Sequence, residues 1–198
     1  MKGALFAITL WAVSVSAAFA QVQGVALDTP EPMPMFELVT KDGEVFSRES
    51  LNDHWTIIMF GFNSCPDVCP FTLSNLEHAI SETALRVRPD SVPKVVFVSV
   101  DPDRDADSVS EYAQFFHPEF RGVTGARDQI DTLVEATDSF YRLLPPDQDG
   151  HYDVQHSSAG SVIGPDGNLR AKLQPPFDPG LTAEFLARLQ ISYRKEIQ

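Results

Sequence analysis

Cysteine is scarce in this 198-residue chain: there are two, Cys65 and Cys69. That excludes a framework of structural disulfides. A bridge between the two would close too small a loop to stabilise the fold through chain entropy. Basic residues are also few. Fifteen Lys and Arg against 28 Asp and Glu leave a formal net charge of −13, which argues against nucleic acid as a partner, since phosphates are met by a basic face. Beyond residue 20 no apolar run is long enough to span a bilayer. Hydrophobic residues are not lacking: at 43% of the chain they suffice for the core of one ordinary domain and exclude disorder of the whole.

The first twenty residues read as an export signal. Lys2 supplies the positive start, residues 4–15 are almost wholly apolar, and Ala18-Phe19-Ala20 has the small-x-small pattern of a peptidase site. The expectation is a cleaved signal peptide over 1–20. The alternative is a retained membrane anchor, because the run 3–20 is near the short limit for spanning. Export would place the thiols where disulfides persist. Residues 21–34 hold Pro30, Pro32 and Pro34 without a clear period and read as a flexible tether. Residues 35–198 then form the folded domain.

Within that domain, residues 35–39 and 45–46 flank Lys41-Asp42-Gly43-Glu44 as a hairpin extension. The continuous apolar runs 55–60 and 94–100 read as buried strands. Helical spacing follows at 70–85, 108–116, 126–137 and 181–193, with Leu181, Phe185, Leu186 and Leu189 expected on one face of the last. Residues 122–125 read as a short strand or turn, and 140–144 as a strand. Residues 161–163 and 169–173 form a late hairpin around Pro165-Asp166-Gly167-Asn168. Buried strands alternating with helices indicate an α/β layer fold with a central mixed sheet. A strand that leads straight into two cysteines at a helix start is the arrangement of the thioredoxin class.

The strand-to-helix loop Gly61-Phe62-Asn63-Ser64-Cys65-Pro66-Asp67-Val68-Cys69-Pro70 concentrates the chemistry. A helix N-terminus favours negative charge, so a thiolate there is expected to have a lowered pKa. A thiolate serves disulfide exchange and metal binding alike. Three intervening residues, rather than the two of thioredoxin-like redox motifs, suit either a metal ion or a reversible disulfide. Inert or structural cysteines are the remaining reading. A soft metal bound by two sulfurs calls for a third ligand, and imidazole suits copper. His54 and His78 read as surface residues and His117 as a helix cap. His151 and His156 share the loop before the late hairpin, and spacing alone does not separate them. Asp101-Pro102-Asp103-Arg104-Asp105 reads as a solvated acidic loop at a strand end or as a surface facing a partner.

The Cys65-Pro66-Asp67-Val68-Cys69-Pro70 string after Gly61-Phe62 resembles the Sco/SenC family. So do the run from Val98 to Asp105, Gly122-Val123-Thr124-Gly125, and His156-Ser157-Ser158 before a Pro-Asp-Gly hairpin. The resemblance covers residues 35–189. It implies a thioredoxin-like fold and one copper ion held by Cys65, Cys69 and His156. It also implies a role in building the binuclear copper centre of cytochrome c oxidase, as metallochaperone, thiol reductant or both. The implied partners are the oxidase copper-centre subunit, a second periplasmic copper chaperone and a thioredoxin-like reductant; the implied location is the periplasm. Two departures stand out. Family members often carry Asp directly before the histidine, where this chain has Gln155, with Asp153 as a possible substitute orienting group. Many also keep an N-terminal membrane helix, whereas Ala18-Phe19-Ala20 suggests release.

Two thiolates and an imidazole suit three-coordinate Cu(I); a structural zinc site would take four protein ligands. Three rival readings remain. A metal-independent thiol–disulfide oxidoreductase would use Cys65 and Cys69 alone. A peroxidase of the same fold would have Thr72 near the cysteine but no arginine in the loop. The third is an assembly factor whose cysteines only sense redox state.

Overall fold

The structure is a computed structural model and describes residues 23–65 and 68–198. The expected signal peptide lies outside the described residues, as do Pro66 and Asp67 of the cysteine loop.

The centre is β4 (Thr56–Gly61), in which all six residues are buried. A strand buried on both faces needs partners on both edges. It pairs in parallel with β5 (Lys94–Ser99), which pairs in parallel with β6 (Arg121–Val123). Its other edge pairs antiparallel with β9 (Gly160–Ile163) and, through it, with β10 (Asn168–Leu173). The mixed sheet closes on β1 (Gly24–Pro32), giving the order β1-β10-β9-β4-β5-β6.

That first strand corrects the tether expected over 21–34. Pro30 and Pro32 are tolerated because β1 is an edge strand, where a missing amide is harmless, and the register breaks between Ala26 and Glu31. Six of its nine residues are exposed, so it shows no hydrophobic alternation; pairing with β10 makes it a strand. The expected hairpin follows as β2 (Glu37–Val39) and β3 (Val45–Ser47), with Gly43 at a positive φ of 80° in the turn.

Alternation along β4 divides the core. Ile57 and Met59 face one side, with Val95 and Phe97, against α1 (Val68–Ala84), α3 (Val109–Phe116) and α5 (Pro179–Glu196). Ile58 and Phe60 face the other, with Leu38 and Phe46 of the hairpin and Ile130 and Leu133 of α4 (Arg127–Ala136). In α5 the buried positions are Thr182, Ala183, Leu186 and Gln190, whereas Leu181 is exposed. Of the expected face, Leu186 is buried and Phe185 and Leu189 pack partly buried against the same cluster, so only Leu181 departs from it; the helix begins at Pro179, capped by the Asp178 side chain on the Leu181 amide.

Two further elements were not legible in the sequence. One is the single-turn helix α2 (Pro102–Asp105) directly after β5. The other is a separate two-stranded sheet, β7 (Tyr141–Leu143) with β8 (Val154–His156), in antiparallel register that sets Tyr141 opposite His156. β7 was expected, but β8 read as loop.

Candidate metal centre

The cysteine loop leaves β4 at Gly61 and enters α1 within a few residues. Pro70 falls in the first turn of that helix, where the absent amide has no intrahelical partner to lose. The turn is closed by the Cys65 amide donating to the Phe62 carbonyl at 3.2 Å. The Cys69 amide donates to Cys65 Sγ at 3.3 Å. Both thiols are free and buried. Gly61 is required by close approach: a Cβ there would lie 3.0 Å from Cys69 Sγ and 2.5 Å from the Phe97 ring.

His156 arrives from the opposite side on β8. Its Nε2 is 3.2 Å from Cys69 Sγ. Its Nδ1 is 2.9 Å from the Ser157 carbonyl oxygen. A carbonyl only accepts, so Nδ1 carries the ring proton and Nε2 presents its lone pair to the sulfur. The ring packs edge-on to Phe62, with centroids 5.8 Å apart. The ligand atoms of Cys65, Cys69 and His156 all lie within 4.8 Å of one another.

Electrostatics alter one expectation. Burial, and next the neighbouring Cys65, push the Cys69 thiol far above its ordinary value instead of lowering it. Desolvation outweighs the helix N-terminus because the sulfur sits inside the core cluster with Phe62 and Val154. The metal-free Cys69 is thus a thiol donating to His156. Burial also pulls the His156 imidazole below its ordinary value, which keeps it neutral and available as a ligand near neutral pH.

Of the two histidines that spacing left open, the structure brings His156 to the sulfurs. His151 lies with Asp147 and Asp149 in a separate, exposed group. His78 is exposed and His54 half-buried. His117 stands at the C-cap of α3, the expected place, and its ring accepts from the Glu119 amide in the turn that follows. Asp153 is not the orienting group: it is exposed, and its carboxylate accepts from the Val154 amide. Positions 153 and 155 share the outward side of β8 while Val154 and His156 face in, so the Ser157 carbonyl orients the ring.

The acidic segment 101–105 is not a solvated loop. Asp101 and Asp105 are buried at 0% and 2% exposure. Asp105 Oδ2 accepts from the Asn63 amide at 2.9 Å and from Ser99 Oγ at 2.6 Å. Asp101 is ion-paired with Arg104 and accepts from the Tyr152 hydroxyl at 3.0 Å. Charged groups directly after a strand whose last five residues are buried, with an arginine among them, were the available signal.

Fold and site together define a thioredoxin-like protein with a buried two-thiol, one-imidazole cluster at a strand-to-helix turn. The SCO1/SenC family model matches residues 26–190, and the chain belongs to that family. It is 33% identical over 163 residues to the human mitochondrial protein SCO1 homolog, covering 81% of this chain and 54% of that protein, so it spans about half of that relative's length. Its fold matches Arabidopsis thaliana ScoI with copper bound at a TM-score of 0.74 and 30% identity, over 81% of this chain and 98% of that one. Apo Sco1 from Thermus thermophilus matches at a TM-score of 0.72 and 31% identity, over 89% and 99%.

Proposed function

We propose that this chain carries one copper ion between Cys65, Cys69 and His156, and uses it or its dithiol to build the binuclear copper centre of cytochrome c oxidase. The observation that carries the reading is the approach of His156 Nε2 to Cys69 Sγ from a separate strand, with Cys65 Sγ in the same cluster. The donors suit Cu(I): two soft thiolates and one neutral imidazole. Family membership and the copper-bound ScoI of Arabidopsis thaliana support the choice of metal.

The cargo supplies the electron-transfer chemistry of the finished centre; the chain's residues supply capture and release. A thioredoxin-like reductant keeps Cys65 and Cys69 as thiols. Capture removes the Cys69 proton that burial otherwise retains. His156 needs no deprotonation, because Nδ1 keeps its proton on the Ser157 carbonyl. Release proceeds by ligand exchange to the copper-centre subunit. A second periplasmic chaperone is the proposed donor. The proposed location is the periplasm, after signal cleavage or with the leader retained as an anchor; no helix among the described residues is long and apolar enough to cross a membrane.

Anaerobic copper titration of the reduced protein tests the site. One copper per chain, lost in Cys65→Ser/Cys69→Ser and at least tenfold weaker in His156→Ala, is expected. Undiminished binding in the double serine variant would overturn it. The proximity of the two buried thiols favours a second reading, a metal-independent thiol–disulfide oxidoreductase. Rapid disulfide cycling without copper uptake, indifferent to His156→Ala, would establish that reading instead.

A further inference from the structure

The ligands come from two segments with no backbone pairing to each other, the loop after β4 and the small β7–β8 sheet. Three-residue strands in a two-stranded sheet are marginal alone. The side chains of the turn at residues 101–105 reach both. On one side Asp105 accepts the Asn63 amide, two residues before Cys65. On the other, Arg104 Nη1 donates to the Tyr152 carbonyl at 2.9 Å, four residues before His156, while its guanidinium stacks 3.8 Å above the Tyr152 ring. Asp101 completes the latch by pairing with Arg104 and accepting the Tyr152 hydroxyl. The Arg104 guanidinium also lies 5.6 Å from the centroid of Phe62, the ring against which His156 packs.

We propose that this turn is a bracket that sets the separation between the thiols and the imidazole: Asp101 and Arg104 are positioning residues acting through Tyr152 on His156, and Asp105 is a positioning residue acting through Asn63 on the cysteine loop. Both arms spring from the end of β5, which is paired residue for residue with β4. The bracket is therefore anchored to the rigid sheet from which the cysteine loop itself departs. Without the latch, β8 is held by the burial of Val154, its pairing with β7 and its short run into β9, and the imidazole spends less time at the sulfurs. The apparent affinity for a ligand falls by the fraction of time the competent arrangement is lost.

The inference rests on the proposed three-ligand site, and the test separates the two. In the metal-free reduced protein, Arg104→Met is expected to raise amide exchange over residues 154–156 about tenfold while leaving the β4 and β5 amides unchanged. In anaerobic Cu(I) titration, Arg104→Met should bind roughly tenfold more weakly, about 1.4 kcal/mol. Most of that loss should vanish in the His156→Ala background, because the hydrogen bond and stacking of the arginine are on Tyr152, on the imidazole side, while its approach to Phe62 is the looser contact. Asp105→Asn should weaken binding equally in both backgrounds. Tyr152→Phe, which removes one hydroxyl and little packing, should reproduce the Arg104 pattern at smaller amplitude even if Arg104→Met folds poorly. An Arg104→Met or Tyr152→Phe loss that persists undiminished beside His156→Ala, or unchanged exchange over 154–156, would overturn the bracket. Copper binding indifferent to His156→Ala would instead refute the three-ligand reading, and the exchange measurement would still decide the latch.

Discussion

Gly61 is the residue whose replacement reports most directly on how tightly the thiol site is built into the sheet. An added Cβ would stand 2.5 Å and 2.8 Å from two atoms of the Phe97 ring and 3.0 Å from Cys69 Sγ. All three distances are below van der Waals contact, and neither neighbour is free to yield. Phe97 is 1% exposed and packs between α1 and α3, and Cys69 is fixed in the first turn of α1. Overpacking of this kind costs about 1–3 kcal/mol, and the rigidity of the ring places Gly61→Ala in the upper part of that range, about 2–3 kcal/mol. For a chain of this size that corresponds to a melting temperature lower by roughly 4–12 °C. The measurement is thermal unfolding of the reduced, metal-free protein with its Gly61→Ala variant, followed by copper titration of both. Because the added methyl group presses on the sulfur, copper affinity should fall as well. A melting temperature within about 1 °C of the parent, with unchanged affinity, would show that the ring and sulfur relax freely and would refute the reasoning.

Gly122→Ala should be worse, because its Cβ would meet the Val109 carbonyl oxygen at 1.9 Å and backbone cannot swing aside; the check is loss of cooperative unfolding at temperatures where Gly61→Ala is still folded. Copper uptake should release at least one proton near pH 7, read by calorimetry in buffers of different ionisation enthalpy. The raised Cys69 thiol is protonated there and must lose its proton, so loading weakens as pH falls. His151→Ala should leave copper affinity within about twofold, well short of the tenfold step that an affinity change of about 1.4 kcal/mol produces, since that side chain is 83% exposed and grouped with Asp147 and Asp149. Asp166 supplies an acid-sensitive tie. Burial alone would raise its carboxyl, but its hydrogen bonds and ion pair with Arg170 outweigh burial and hold it below its ordinary value. A depressed carboxyl stabilises the fold above the unfolded value and loses that contribution as pH falls through the folded one. Asp166→Asn should therefore cost about 1–2 kcal/mol at pH 7, and in denaturant titrations that cost should shrink steadily as pH is lowered through and below the ordinary carboxylate range.

The sequence by itself determined the central sheet and the donor groups at its mouth. The run at 55–60, apolar at every position but Thr56, is satisfied by burial on both faces, and KVVFVSV repeats the demand. Two cysteines entering a helix beside Pro70 define a thiol pair from local rules alone, and the motif string named the histidine. What local rules could not show was whatever depends on a distant partner. β1 is a strand only because β10 offers it an edge, so its prolines read as a tether. β8 is a strand only because β7 lies opposite, so spacing alone left His156 and His151 equivalent and only the motif resemblance singled out His156; the fold aimed that ring at the sulfurs and left the other in water. The helix N-terminus argued for a lowered thiol pKa, but desolvation is a property of the assembled core and it prevailed at Cys69. The same holds for the acidic turn: a run of charges reads as solvated until the structure supplies Asn63, Ser99, Arg104 and Tyr152 as partners that make burial of Asp101 and Asp105 tolerable. Local sequence determines which groups are present and what they can bind; distance, desolvation and pairing are properties of the packed chain, and those decided which of the groups meet.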